Sequence, residues 1–158
     1  MTDRPSTIAG PPRIVPARPG DAPAVAACVR AAYAHYIERI GREPAPMTAD
    51  YETLVAAGEV WLIRARDDVA GVLVLRPQPP ALLVENVAVA PPHQGRGLGR
   101  LLMAFAEERA RTEGLAEVVL YTNERMTENL RFYPALGFIE TGRRTQDGFA
   151  RVFYRKPL

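Results

Sequence analysis

Several residue types are scarce in this chain, and each scarcity excludes something. There is one cysteine, Cys28, so no internal disulfide forms and no thiolate cluster can bind a metal. A disulfide-stapled secreted scaffold is out, and no metal is expected. Lysine is nearly missing: Lys156 is its single instance, and arginine supplies the rest of the 20 basic residues. Against them stand 18 acidic residues, and a net charge of +2 is too balanced for charge-driven nucleic-acid binding. No apolar run approaches the ~20 residues of a membrane span, and the N-terminus lacks the apolar core of a signal peptide. Neither membrane nor nucleic acid is expected as a partner, and the expected location is cytoplasmic. What remains is ordinary: 158 residues, 47% hydrophobic, enough for one domain that buries roughly 70% of its unfolded surface.

Residues 1–12 carry Pro5, Gly10, Pro11 and Pro12 with one large apolar residue, which reads as a disordered arm before a single domain over 13–158. Ile14 to Ala17 reads as a short strand, pushed toward a sheet edge by Pro16. Asp21 is the expected cap of a helix over 21–40, with Val25, Val29, Tyr33, Tyr36 or Ile37, and Ile40 at helical spacing and Gly41 as its stop. Arg42 to Met47 reads as a loop, and Thr48 as the cap of a shorter helix ending near Gly58. The period then changes. Val60–Ala65 and Val69–Leu75 form an expected hairpin across Asp67-Asp68, and Ala81–Val89 a strand covered on both faces. A helix over Gly97–Glu113 is expected to turn Leu101, Leu102, Phe105 and Ala106 inward. Glu117–Thr122 is a strand and Thr127–Leu136 a short helix. Phe138–Arg143 and Ala150–Arg155 close as a hairpin across Asp147-Gly148, whose free edge suits a homodimer. The pattern implies an α/β (α+β mixed) fold, with a twisted mixed sheet of about six or seven strands and about four helices.

The stretch Val87-Ala88-Val89-Ala90-Pro91-Pro92-His93-Gln94-Gly95-Arg96-Gly97-Leu98-Gly99-Arg100 joins a strand end, a loop and a helix start. Its alternate glycines let a ligand approach bare backbone, and the free N–H groups of the helix's first turn suit a phosphate. Arg96 and Arg100 add charge at the rim. The same residues also read as a tight strand–helix turn with solvated arginines. A Walker loop is excluded, because no Gly-Lys-Ser/Thr follows. The dinucleotide fingerprint fits poorly, since the glycine spacing is wrong and antiparallel strands precede it.

Gln94-x-x-Gly97-x-Gly99 after an apolar strand resembles the pyrophosphate loop of the GNAT N-acetyltransferase superfamily. Asn129-x-x-Phe132-Tyr133-x-x-Leu136-Gly137-Phe138 is an independent second match in the superfamily's order. The resemblance covers nearly the whole chain beyond the arm and implies a GNAT-like acyl-CoA N-acyltransferase fold. Its strands near 81–89 and 117–122 are expected to run parallel and splay at their C-terminal ends. It further implies acetyl transfer from acetyl-CoA to a primary amine of a small molecule by direct attack. By position, the backbone of Val87, Ala88 and Val89 is expected to hold pantetheine and thioester. Gln94 and the amides of Gly95, Arg96, Gly97, Leu98, Gly99 and Arg100 form the pyrophosphate loop. Tyr133 becomes the general acid that protonates the departing thiolate. Without the motif, Tyr133 would read as a core aromatic beside Phe132.

Two departures stand out. Met126 occupies the position where many members carry an asparagine, so Asn129, one helical turn before Tyr133, is assigned a cofactor contact in its place. Pro134 removes a helical hydrogen bond directly after Tyr133, so the helix bends or ends there. Glu85 on the motif strand is the candidate general base through water, or else a structurally paired carboxylate. His35 and His93 read as surface or packing residues, and Cys28 as core. In the superfamily the acceptor pocket is walled by the first two helices, which points to Tyr36, Arg39, Met47 and Tyr51. Alternatives within the same resemblance are a longer acyl-CoA donor, a protein or peptide acceptor, or a non-catalytic acyl-CoA-binding sensor.

Overall fold

The computed structural model describes residues 7, 8, 10–66 and 68–158. The expected arm therefore falls at 1–6 and 9 outside the described residues, as does Asp67 of the Asp67-Asp68 turn. The described residues form seven strands and five α-helices. In chain order these are β1 (Ile14–Pro16), α1 (Ala22–Tyr33), α2 (Tyr36–Ile40), α3 (Tyr51–Ala56), β2 (Val60–Arg64), β3 (Val69–Gln78) and β4 (Ala81–Val89). They continue as α4 (Leu98–Thr112), β5 (Glu117–Asn123), α5 (Asn129–Ala135), β6 (Ile139–Gln146) and β7 (Phe149–Pro157). The strands follow the sheet order β1-β2-β3-β4-β5-β7-β6. The expected mixed α/β architecture is what the chain adopts. No helix among the described residues is long and apolar enough to cross a membrane.

Two compact units make up the chain. The first runs to Val74 and includes Asn86–Met103. In it β1 pairs antiparallel with β2, and β2 with β3. Its core joins Val25, Cys28 and Val29 of α1 to Val55 of α3, Leu62 of β2, Val72 and Val74 of β3, and Ala88 of β4. Gly71 admits Leu102 to β3, since a Cβ there would stand 3.2 Å from Leu102 Cδ1. Thr7, inside the expected arm, accepts a hydrogen bond from Arg66 N at 2.9 Å.

Three local expectations are corrected here. The helix expected over 21–40 is two helices, broken at Ala34 and His35, where no proline or glycine marks a stop. With α1 ended at Tyr33, its hydroxyl bonds to β4, and Tyr36 is buried from a separate helix. Asp21 precedes α1, but its side chain does not cap it. Its Oδ2 accepts from Arg18 N at 2.7 Å, and both oxygens accept from the Arg64 guanidinium, at 3.1 and 2.7 Å. Asp50, not Thr48, caps α3, by accepting Thr53 N–H at 3.2 Å. Thr48 belongs to a 3-10 turn over Ala45–Thr48 and donates to Ala45 O. An ionised carboxylate is a stronger acceptor than a hydroxyl, and Pro46 favours the preceding turn.

The second unit comprises Leu75–Glu85 and Ala104–Leu158. β4 and β5 run parallel, as expected, from Ala81↔Glu117 to Val84↔Leu120. β5 pairs antiparallel with β7, and β7 with β6. The β6–β7 turn places both Asp147 (φ 53°) and Gly148 (φ 78°) in the left-handed region, the geometry a two-residue hairpin with a right-handed twist demands. Two burial expectations need adjusting. β4 is covered on both faces only over Ala81–Val84, and Glu85, Val87 and Val89 are half-buried. Along α4 the inward residues are Leu102, Met103, Ala106 and Ala110, while Leu101 is 37% exposed. The true stripe includes Met103 and lies about one residue round the helix from the expected one. α5 ends at Ala135, one residue after Pro134. The chain turns there on the Tyr133 carbonyl, which accepts from Leu136 and Phe138.

Candidate active site

The first unit holds the glycine loop and the second half of β4. After Val89 the chain makes a 3-10 turn over Pro91–His93. Gln94 then folds back, and its Nε2 donates to Val89 O at 2.9 Å. Its amide therefore braces the loop against the strand. Gly95 and Gly97 both have φ +78°, and a Cβ built on either meets nothing within 4 Å. A side chain at that φ is strained by about 1–2 kcal/mol, so glycine is required by backbone conformation rather than by crowding. Leu101 N makes an α-helical bond to Gly97 O at 3.0 Å. The preceding amides of Leu98, Gly99 and Arg100 thus belong to the turn whose N–H groups lack helical acceptors. Leu98 is buried and anchors that turn, while Arg96 and Arg100 are exposed. Open backbone at Gly95 and Gly97, a 15-residue helix with its positive end forward, and two exposed arginines fit a pyrophosphate.

A buried hydrogen-bonded chain braces the motif strand in the same unit. Asn86 is 5% exposed. Tyr33 Oη lies 2.8 Å from Asn86 Oδ1 and 3.1 Å from Val87 O. Asn86 Nδ2 donates to Tyr51 Oη at 3.1 Å, and Tyr51 Oη donates to Pro46 O. Sequence reasoning did not single out Tyr33 or Asn86 as members of this bracket. The signal available was an asparagine that follows Glu85 in a strand apolar elsewhere, and a buried asparagine must find partners or destabilise the fold. Of the acceptor-wall residues, Tyr36, Met47 and Tyr51 are buried and Arg39 is exposed, its guanidinium 5.1 Å from the Tyr36 ring centre. Arg30 Nη1 holds the Met47 carbonyl at 3.2 Å. Tyr51 is both acceptor and donor inside the fold, which makes it a bracket residue. His93 is buried in the loop, whereas His35 is exposed and lies against the Tyr36 ring.

The second unit holds the remaining candidates. Glu85 pairs with Arg76 at 3.4 Å, yet its Oε2 is buried without a hydrogen bond. Tyr133 is 5% exposed, with its ring centre 5.2 Å from Phe132, 5.9 Å from Phe138 and 5.8 Å from Tyr154. Asn129 Nδ2 donates to Thr122 Oγ1 at 3.0 Å, and Met126 is buried beside it. The loop and the acceptor-wall residues thus gather in the first unit, and Glu85, Asn129 and Tyr133 in the second. Cys28 is buried in the first unit, and burial pushes its thiol up to about 12.

A mixed sheet with β4 and β5 parallel, a glycine loop opening a long helix and a closing hairpin make up a GNAT-like fold. Residues 27–138 match the family described as Acetyltransferase (GNAT) family, and the chain belongs to it. N-acetyltransferase 8F1 of Rattus norvegicus is 29% identical over 117 residues, covering 70% of this chain and 50% of that protein. Streptothricin acetyltransferase of Streptomyces lavendulae is 32% identical over 96 residues, covering 60% of this chain and 48% of that protein. The chain thus spans half or less of the length of these curated relatives. Among solved structures, PaiA N-acetyltransferase of Thermoplasma acidophilum, crystallised with coenzyme A, shares the fold. Its TM-score is 0.77 at 15% identity, over 94% of this chain and 99% of that one.

Proposed function

We propose that this chain transfers the acetyl group of acetyl-CoA to a primary amine of a small molecule, by direct attack. The observation that carries the reading is the loop at Gly95–Arg100, where two left-handed glycines present open backbone at the positive end of α4. A small acceptor is supported by relatives named as streptothricin and mycothiol acetyltransferases. Direct transfer is supported by Cys28, whose buried thiol, pushed up to about 12, is a poor nucleophile for an acyl-enzyme.

Acetyl-CoA, when bound, supplies an activated thioester carbonyl and a thiolate leaving group. The amides of Gly95 to Arg100 hold the pyrophosphate, with Arg96 and Arg100 at the rim and Gln94 bracing the loop from behind. Side chains already engage the carbonyls of Val87 and Val89, through Tyr33 and Gln94. The strand's N–H groups therefore carry the larger part in binding pantetheine and stabilising charge on the carbonyl oxygen. Glu85 takes the acceptor's proton through water, and Tyr133 Oη gives one to the departing sulfur. Asn129 contributes a cofactor contact. Tyr36, Arg39 and Met47 contribute to acceptor binding.

The test is an acceptor screen read by free-thiol release, with acetyl-CoA and longer acyl-CoAs as donors and small amines and peptides as acceptors. Turnover of acetyl-CoA on small amines is the expected result. Turnover on peptides alone, or a preference for a longer donor, replaces the substrate assignment. Acyl-CoA binding without turnover on any amine makes the chain a sensor and overturns the enzyme reading.

A further inference from the structure

One face of the second unit carries a charged cluster that the proposed chemistry uses only in part. The β5–β7 register sets Asn123 opposite Arg151 and Tyr121 opposite Phe153, so these four share a face. The β4–β5 ladder ends at Val84↔Leu120, which puts Glu85 at the next position, beside Tyr121. Arg151 is 6% exposed, and its guanidinium carbon lies 4.4 Å from the Tyr121 ring centre and 5.5 Å from that of Phe149.

A guanidinium this buried needs acceptors for its five N–H donors. Nη1 finds Gln146 Oε1 at 2.9 Å and Asp147 Oδ2 at 3.4 Å. Asp147 sits on the hairpin turn with its side chain 78% exposed, so water screens it and it neutralises Arg151 weakly. Among the described residues, no acceptor takes the Nε and Nη2 edge. That edge is planar and two-pronged, the shape that meets both oxygens of a carboxylate. Glu85 Oε2 is buried and accepts no hydrogen bond; its ion-pair partner, Arg76 Nη2, stands 3.4 Å away. Both charges reach the same phenol. Burial raises the pKa of the Tyr121 hydroxyl, Arg151 draws it down and Glu85 pushes it up.

We infer that Arg151 and Glu85 form a zwitterion-binding subsite built on Tyr121, and that the acceptor is a primary amine carrying a carboxylate. Glu85 receives the ammonium, and the Nε/Nη2 edge of Arg151 receives the carboxylate. Arg144, opposite Arg151 in the β6–β7 register with its guanidinium carbon 3.6 Å from the Phe153 ring centre, adds positive charge to the same face and favours an anion there. This inference rests on the acetyltransferase reading for its ligand class, and on the second unit alone for its residues.

Calorimetry on the full chain separates the two readings, because it needs no turnover. The probes are L-phenylalanine against 2-phenylethylamine and L-leucine against 3-methylbutylamine, each titrated with and without coenzyme A. The wild type is expected to bind the carboxylated member of a pair at least tenfold tighter. Arg151→Gln is expected to abolish that preference while leaving binding of the plain amines within twofold. Arg151→Lys keeps the charge but loses the fork, so it recovers only part. Asp147→Asn, which tolerates the left-handed φ, removes the turn's ion pair and is expected to keep the preference. Equal affinity for both members in the wild type overturns the inference, as does no binding of either. So does Asp147→Asn matching Arg151→Gln, because Arg151 would then only brace the turn. Carboxylate-selective binding without thiol release in the acceptor screen would leave this subsite standing and sink the acetyltransferase reading instead.

Discussion

Tyr33 Oη and Asn86 Oδ1 lie 2.8 Å apart, joining the last residue of α1 to the β4 residue that precedes the motif backbone. One hydroxyl proton serves two acceptors there, Asn86 Oδ1 and the Val87 carbonyl. The Asn86 amide passes the connection on to Tyr51, and Tyr51 to the Pro46 carbonyl. The register of Val87–Val89 is therefore held from a neighbouring helix by polar contacts that tolerate little displacement.

Asn86→Ala is expected to destabilise the fold by about 1–2 kcal/mol, because Tyr51 Oη loses a donor, Tyr33 Oη loses one of its two acceptors and a small cavity opens. Tyr33→Phe should cost about 1–2 kcal/mol, since the ring stays and only the shared donor is lost. Urea denaturation measures both. An Asn86→Ala change within about 0.5 kcal/mol of wild type would show that the bracket carries no stability.

Gly97→Glu should abolish acetyl-CoA binding in calorimetric titration. It places a carboxylate at the helix N-terminus, in competition with the pyrophosphate, and adds strain at φ +78°. Gly97→Asn tolerates the left-handed region and carries no charge, so it isolates the electrostatic part and should lose less affinity. Wild-type binding by Gly97→Glu would remove the loop assignment.

Tyr133→Phe should leave acetyl-CoA affinity nearly unchanged, because the ring keeps its packing on Phe132, Phe138 and Tyr154. Turnover should fall by ~10²-fold or more where proton transfer to sulfur limits the rate. Full activity across the pH profile would make Tyr133 a core aromatic only.

Asp21 tests linkage between charge and stability. The hydrogen bond from Arg64 holds its carboxyl below the ordinary range, helped by Arg18 N–H and opposed by burial. A depressed folded value means stabilisation that is complete above the unfolded pKa of ~4 and lost as pH falls through the folded value. Asp21→Asn should therefore cost about 1 kcal/mol at pH 7, and its denaturation curve should converge on that of wild type in acid. A constant gap from pH 7 down to strong acid would contradict the pairing.

Cys28 should resist iodoacetamide at pH 8 in the native protein and react promptly in denaturant. Alkylation proceeds through the thiolate, and burial pushes the thiol up to about 12. Equal native and denatured rates would place Cys28 outside the core.

Much of the architecture was legible residue by residue. β4 begins and ends where its apolar run does, at Ala81 and Val89, and α4 fills the stretch between Gly97 and Glu113. The Asp147-Gly148 pair marked the final hairpin, and the glycine loop was visible as a loop before a helix. Acetyl-CoA and the roles of Glu85, Tyr133 and Asn129 came from resemblance, and they stand as proposals. Helix caps were harder to read, since Thr48 and Asp50 both carry side-chain acceptors and their relative strength in place chose between them.

Those successes share a cause: alternation, helical spacing and left-handed turn residues are set by the nearest few neighbours along the chain. The fold's long-range pairings obey no such period. Asn86 finds Tyr33 across 53 positions, and Arg64 finds Asp21 across 43. The break after Tyr33, with no glycine or proline to announce it, accompanies a side-chain bond to a distant strand. The buried guanidinium of Arg151 and the buried carboxylate of Glu85 come together because a register on β5, β7 and β4 collected them on one face. A side chain's own type says what partners it needs; packing in three dimensions supplies those partners or leaves them for a ligand.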